Sequence, residues 1–194
     1  MLFRSTRLLA GKQRGRALDI GTGPGQIVIK LARQLMLWKF TGVDRSLAMI
    51  AKANRNLLNA GGGLTGRVEW QAADGNCLPF PDATFDFVMC NSVLHHLAEP
   101  QRLLDEMGRL AKPGGAILLC DLRRPGRLAY PLHIWRHGRH YAGTMRKLFR
   151  DSVRSAYTEE ELQRLLDQSE LRGARVFKRG STHIGIERSC NNQP

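Results

Sequence analysis

Residues Leu18 to Gln26 read LDIGTGPGQ, an apolar run that passes into three glycines at alternating positions. Upstream, Arg16–Ile20 is short, apolar and interrupted only by Asp19, so it predicts a buried strand entering a tight turn at Gly21. Downstream, Ile27, Leu31 and Leu35 recur every four residues and predict a helix from about Gly25 to Leu37. Strand, glycine turn and helix in succession make the first half of a βαβ unit. In an open sheet of such units, ligands sit beyond the carboxyl ends of the strands, where this turn lies. Glycines at 21, 23 and 25 permit positive φ and remove the Cβ atoms that would hold a ligand off the backbone. A dinucleotide loop is spaced G-x-G-x-x-G, which requires a third glycine at position 26, and this chain has Gln26 there. Asp19 would also repel a pyrophosphate, whereas it suits a ligand bearing an amino group and a positive charge.

The same alternation continues along the chain. Phe40–Asp44 reads as a second strand ending in an acid, and Ser46 can cap the next helix, which runs to the stop signal Gly61-Gly62-Gly63. Strands follow at Val68–Ala72 and Phe85–Cys90, then a helix at Pro100–Ala111 and a strand at Ala116–Asp121 after Lys112-Pro113-Gly114-Gly115. Further on, Thr158 with Glu161 makes a capping box for a helix Glu159–Gln168. Ala174–Arg179 and His183–Arg188 flank Gly180-Ser181-Thr182 as an antiparallel hairpin. The expected fold is α/β: a doubly wound, mainly parallel seven-stranded sheet with a C-terminal antiparallel strand, joined by right-handed crossovers. One domain is expected over residues 1–194, with a basic arm at 1–15 and a basic insertion at 123–155.

The charge distribution bears on partners. The 194-residue chain has a net charge of +13, and the excess is local. Arg4, Arg7, Lys12, Arg14 and Arg16 open the chain without an acid, and residues 123–154 hold Arg123, Arg124, Arg127, Arg136, Arg139, Arg146, Lys147, Arg150 and Arg154 against Asp151 alone. Two basic runs flanking a neutral body suggest a shared anionic partner. Cys77, Cys90, Cys120 and Cys190 show none of the common metal or cluster spacings and read as reduced, mostly buried thiols of a cytoplasmic protein, with no metal site. The longest uncharged apolar stretch, Gly114 to Cys120, is too short to span a bilayer, so no transmembrane segment is expected. The N-terminal apolar run is too short for a secretory signal, though its basic, acid-free character weakly resembles an organelle transit peptide.

LDIGTGPGQ, the VDRS segment, AADGNCLPFPDATFDFVMCNSVLHHL and LAKPGGAILLCDLRRP, in that order, resemble the class I S-adenosylmethionine-dependent methyltransferases. The likeness is greatest to the small-molecule group that includes ubiquinone and menaquinone biosynthesis enzymes. It runs from about Arg16 to Asp121 and returns weakly in YTEEELQRLLDQSEL. It implies a Rossmann-like methyltransferase fold and S-adenosyl-L-methionine as cofactor. By position, it implies backbone contacts from Gly21, Gly23 and Gly25 to the methionine part, with Asp19 near the amino group and Asp44 on the ribose hydroxyls. Asp74 and the backbone of Gly75 would border the adenine, and Asn91 the methionine portion. Relatives usually carry helices before the first strand; the short segment here implies an open cleft or one closed by a partner subunit.

Methyl transfer from a sulfonium is an in-line displacement, for which alignment alone can contribute roughly 7–11 kcal/mol, so no catalytic side chain is strictly required. If the acceptor must lose a proton, His95 and His96 after the fourth strand are the candidate bases; adjacent residues are expected to point apart, leaving at most one toward the acceptor. Cys77, Cys90 and Cys120 are better read as core thiols than as nucleophiles. Asn91-Ser92-Val93-Leu94 stands where many amino-methylating nucleic-acid enzymes have an Asn/Asp-Pro-Pro-aromatic loop. The basic insertion lies where this family often builds an acceptor lid, and Arg124, Arg127, Tyr130 and Trp135 are its candidate substrate residues. They fit an anionic or aromatic small molecule. Contact with RNA or peripheral contact with an anionic membrane are the other partners this composition allows, and a non-catalytic interaction module is the remaining alternative.

Overall fold

In the computed structural model, which describes residues 2–9 and 11–190, the chain alternates helix and strand almost throughout. The elements are α1 (Leu2–Leu8), β1 (Arg14–Ile20), α2 (Gln26–Gln34), β2 (Leu37–Asp44), α3 (Leu47–Ala60), β3 (Val68–Ala72) and β4 (Phe85–Asn91). A 3-10 turn at Leu94–His96 leads to α4 (Pro100–Leu110) and β5 (Ala111–Leu122). Then come α5 (Tyr130–Gly138), α6 (Gly143–Ser155), α7 (Glu159–Asp167), β6 (Arg175–Arg179) and β7 (His183–Arg188). The local signals behave as their chemistry requires: the Ser46 hydroxyl accepts from the Met49 amide to start α3, and Thr158 and Glu161 close a reciprocal capping box on α7.

The seven strands form one sheet in the order β3-β2-β1-β4-β5-β7-β6. β1 to β5 are parallel, and β7 runs antiparallel between β5 and β6. The order reverses at β1, with β2 on one side and β4 on the other, which puts the turn after β1 at the switch point. Each face of the sheet buries its own core. Leu18, Ile20, Val88, Ile117 and Leu119 pack against Leu103, Met107 and Leu162 of α4 and α7. Ala17, Phe87, Met89 and Leu118 pack on the other side against Val28 and Leu31 of α2 and Trp38 of β2. Phe85 and Val88 share a face although three residues apart, because a bulge shifts the β4–β5 register between Phe85 and Phe87.

Several boundaries differ from the sequence reading. α2 stops at Gln34 and β2 starts at Leu37, ahead of Phe40. The apolar periodicity ran on through Leu35 and Leu37, but Leu37 is exposed, while Trp38 and Phe40 alternate into the core. β5 reaches back through Pro113-Gly114-Gly115, which had read as a break; the strand absorbs it opposite the β4 bulge. Cys90 and Cys120 are buried as expected, and burial pushes both thiols up, but Cys77 is exposed and Cys190 only partly buried.

The N-terminal arm packs against the sheet. Its residues 2–8 form α1, Leu8 and Leu9 enter the core, Arg4 and Arg7 pair with Glu187 of β7, and Arg4 stacks over Phe177. Lys12 and Lys112 both pair with Asp86, 2.9 Å away. Arg4, Arg7 and Lys12 thus pair with acids of the fold, whereas Arg14 and Arg16 are exposed and have no ion pair among the described residues. The insertion at 123–155 is two helices, α5 and α6, packed on each other where Gly138 meets Phe149. Among the described residues, no helix is long and apolar enough to cross a membrane.

Candidate active site

Beyond the carboxyl ends of β1, β2 and β4 lies a cavity of about 550 Å³. Gly21, Asp44, Arg45, Asp74, Gly75, Asn76, Ser92 and His96 supply its polar wall; Ile20, Val43, Ala73, Val93, Leu97 and Leu103 supply the apolar one. Its size is within the range of small-molecule and cofactor sites.

The glycine loop is tied to the end of β2. The amides of Gly21 and Thr22 both donate to the Val43 carbonyl, at 2.8 and 2.9 Å, and the Gly23 amide donates to Asp44 Oδ2 at 2.8 Å. The Gly25 amide donates to the Thr22 carbonyl at 3.0 Å. The amides of the loop itself are therefore committed to protein partners. Gly25 serves packing: at φ 75°, a Cβ there would stand 2.6 Å from the Trp70 ring. Gly23 and Gly25 are not in the cavity wall, whereas Gly21 is.

Asp44 closes β2 with both carboxylate oxygens in use, Oδ2 by Gly23 and Oδ1 by the Ser46 amide at 2.9 Å, and it still lines the cavity. A carboxylate has about four acceptor positions, so capacity remains for ligand hydroxyls. Asp74 accepts from the Asn76 amide at 3.0 Å, which shapes the turn after β3 and holds Gly75 in the wall. Asn91 lies outside the wall and donates to Ser92 Oγ at 3.1 Å. Ser92, in the left-handed region at φ 58°, lines the cavity instead.

Asp19 does not line the cavity either. Strand alternation puts it on the Ala17 face, under the glycine loop. It is buried, and its Oδ1, like the nearby Thr22 Oγ1, has no hydrogen-bond partner among the described residues. Burial, with the neighbouring Asp44 charge adding to it, pushes this carboxyl up to about 7.

The two histidines are separated by environment, not by direction. The 3-10 turn brings their ring centroids to 3.9 Å at an interplanar angle of 42°, contrary to the expectation that neighbours diverge. His95 is buried, its Nδ1 2.6 Å from Asp121 Oδ1 and its amide donating to Asp121 Oδ2 at 3.1 Å. It is outside the cavity wall, so its part is to hold the turn. His96 lines the cavity, and burial, helped by His95 and Arg45, lowers its pKa and leaves it neutral at physiological pH. Sequence reasoning missed Asp121 as the anchor of this turn. Its signal was available: it is an acid near the carboxyl end of a buried strand, as Asp19 and Asp44 are.

The candidate substrate residues of the insertion are not gathered at this cavity. Arg124, Arg127 and Tyr130 line a separate cleft of about 560 Å³ with Arg150, Asp151 and Arg154. Arg124 is engaged by Glu161, and the Tyr130 hydroxyl donates to the Arg150 carbonyl at 3.3 Å. Trp135 lines neither space and is exposed.

A cavity at the switch point of a sheet of this order, with Asp44 and Asp74 in its wall, is the position at which doubly wound α/β domains bind ligands. Residues 18–119 match the methyltransferase domain family, and the chain belongs to it. It is 32% identical over 118 residues to the ubiquinone/menaquinone biosynthesis C-methyltransferase of Desulfotalea psychrophila, covering 60% of this chain and 46% of that protein. With the same-named protein of Geobacter sulfurreducens it shares 31% over 122 residues, 62% of this chain and 47% of the relative. The chain thus spans about half the length of the curated relatives it matches. Among solved structures it resembles a SAM-dependent methyltransferase from Aquifex aeolicus, with TM-score 0.71, 22% identity, and coverage of 97% of this chain and 88% of that one. It also resembles phosphoethanolamine N-methyltransferase 2 of Haemonchus contortus in complex with S-adenosyl-L-methionine, with TM-score 0.68, 20% identity, and coverage of 89% and 36%. At these identities the likeness is one of fold.

Proposed function

We propose that this chain is an S-adenosyl-L-methionine-dependent methyltransferase acting on an anionic or aromatic small molecule by direct in-line transfer. The observation that carries the reading is the pair of carboxylates, Asp44 and Asp74, in the wall of one cavity at the switch point, beside a glycine loop whose amides are committed. The residues present fit the cofactor. Asp44 keeps acceptor capacity for two ribose hydroxyls, Asp74 and Gly75 would border the adenine, and Gly21 the methionine part. The buried Asp19 carboxyl beneath the loop, its Oδ1 without a partner among the described residues, favours a cation above it. When bound, the cofactor supplies a methyl group already activated by its positive sulfur.

What the chain adds is alignment and control of a proton. The apolar wall, Ile20, Val93, Leu97 and Leu103, excludes water from one side of the cavity. His96, neutral and beside His95, can accept a proton from an acceptor that needs to lose one, while Asp121 fixes the turn that carries it.

Calorimetry tests the cofactor reading. Wild-type protein binds S-adenosyl-L-methionine in the micromolar range, and Asp44→Ala, checked for fold by circular dichroism, weakens binding roughly tenfold to a hundredfold, the worth of lost hydrogen bonds to a charged group. Undiminished binding in the folded variant removes the ribose role. Labelled methyl transfer into a metabolite extract separates an enzyme from an inert cofactor-binding module.

A further inference from the structure

The α5–α6 pair carries exposed apolar side chains that line neither cavity. Of the eleven large apolar side chains exposed among the described residues, six lie in this one segment: Leu128, Leu132, Trp135, Tyr141, Met145 and Leu148. Leu128 is 98% exposed, Leu132 64% and Trp135 59%. α5 is held by the face that carries Tyr130, His133, Ile134 and His137, all buried or partly buried, while Leu132 and Trp135, one turn apart, are exposed. Met145 and Leu148 repeat the one-turn spacing on α6. Cations surround these residues: Arg127, Arg136, Arg139, Arg146, Lys147 and Arg150 have no ion pair among the described residues, and Asp151 is the segment's one acid. In contrast to Arg4, Arg7 and Lys12, which are spent on acids of the fold, this charge faces outward.

The combination selects among partners. A second copy of the chain would set this cationic surface against itself, and like charges across an interface oppose association. An RNA would satisfy the guanidinium groups and stack on Trp135 and Tyr141, but it would leave Leu128, Leu132, Met145 and Leu148 in water. An anionic bilayer meets both needs, with phosphates for the arginines and an acyl boundary for the leucines, tryptophan and methionine. We propose that α5 and α6 form a membrane-docking surface that lies on anionic phospholipid. The proposal does not depend on the cofactor reading, since none of these side chains lines the switch-point cavity.

The test is flotation of the full-length protein with vesicles of phosphatidylcholine alone and of phosphatidylcholine mixed with phosphatidylglycerol. The expected result is binding to the mixed vesicles only, weakened at least tenfold in Leu132→Ser/Trp135→Ser and, separately, in Arg136→Gln/Arg139→Gln. All four positions are solvent-exposed, and equal melting temperatures verify that the variants fold. No binding to the mixed vesicles overturns the proposal. So does binding that Leu132→Ser/Trp135→Ser leaves intact, which marks mere adhesion of a basic protein. Two further outcomes overturn it in favour of a named alternative. One is an RNA oligonucleotide that binds more tightly than the vesicles with affinity lost only in the arginine variant; the other is a dimer in sedimentation that the Leu132→Ser/Trp135→Ser variant dissolves.

Discussion

Replacing Asp19 by asparagine removes a titratable group from beneath the glycine loop with little change in shape. In the folded protein this carboxyl is pushed from 3.8 up to about 7 by burial, with Oδ1 unpartnered. In the unfolded chain it ionises near its ordinary value. Between those two values the folded state holds a proton that the unfolded state has released, so stability falls as pH rises through the interval and levels off above about 7. A displacement of about three units corresponds to about 4 kcal/mol in full, of which about 2–3 kcal/mol develops between pH 5 and 8. Asparagine has no such dependence. Urea unfolding of both proteins at a series of pH values therefore shows Asp19→Asn gaining on the wild type across that range, and subtraction cancels every other titrating group. A stability difference that stays flat with pH would falsify the assignment of a carboxyl raised by burial. Bound S-adenosyl-L-methionine is expected to shrink the difference, because a cation above the loop favours the ionised form.

Gly25→Ala destabilises the fold by about 2–4 kcal/mol, from a left-handed non-glycine residue and a methyl group driven against Trp70, and urea titration reads it; a loss under about 0.5 kcal/mol would mean that the loop relaxes freely. Asp121→Asn turns an amide donor toward the His95 amide or ring and costs about 1–3 kcal/mol, with faster hydrogen exchange confined to the turn at 94–96 as the local signature. Exchange left unchanged at that turn would show that Asp121 does not anchor it.

The sheet was legible because its signals are local. The apolar stretch before Gly21, the Ser46 cap, the Thr158–Glu161 capping box and the hairpin around Gly180 each act within a few residues, and the structure reproduces them. Boundaries slipped where an apolar residue fitted the helical rhythm yet sits exposed, as at Leu37, or where a strand tolerates glycine and proline beside a bulge, as at 113–115. α5 and α6 stayed hidden for a related reason: much of their apolar character faces outward and does not pack against the sheet.

From the chain alone came the kind of sheet, the exclusion of a dinucleotide loop and the acids that end the strands, all of which depend on residue identity at short spacing. Tertiary structure alone decided which of these residues meet. It gathered Gly21, Asp44, Asp74, Gly75 and His96 around one cavity, buried Asp19 beneath the loop and turned His95 to Asp121. It also matched Arg4 and Arg7 with Glu187 and Lys12 with Asp86 while leaving Arg136, Arg139, Arg146 and Lys147 of the α5–α6 segment without an ion pair among the described residues. The reason is distance: pairings such as Arg4 with Glu187, 183 positions apart, are set by how the strands are ordered in the sheet, and no spacing rule within the sequence encodes them.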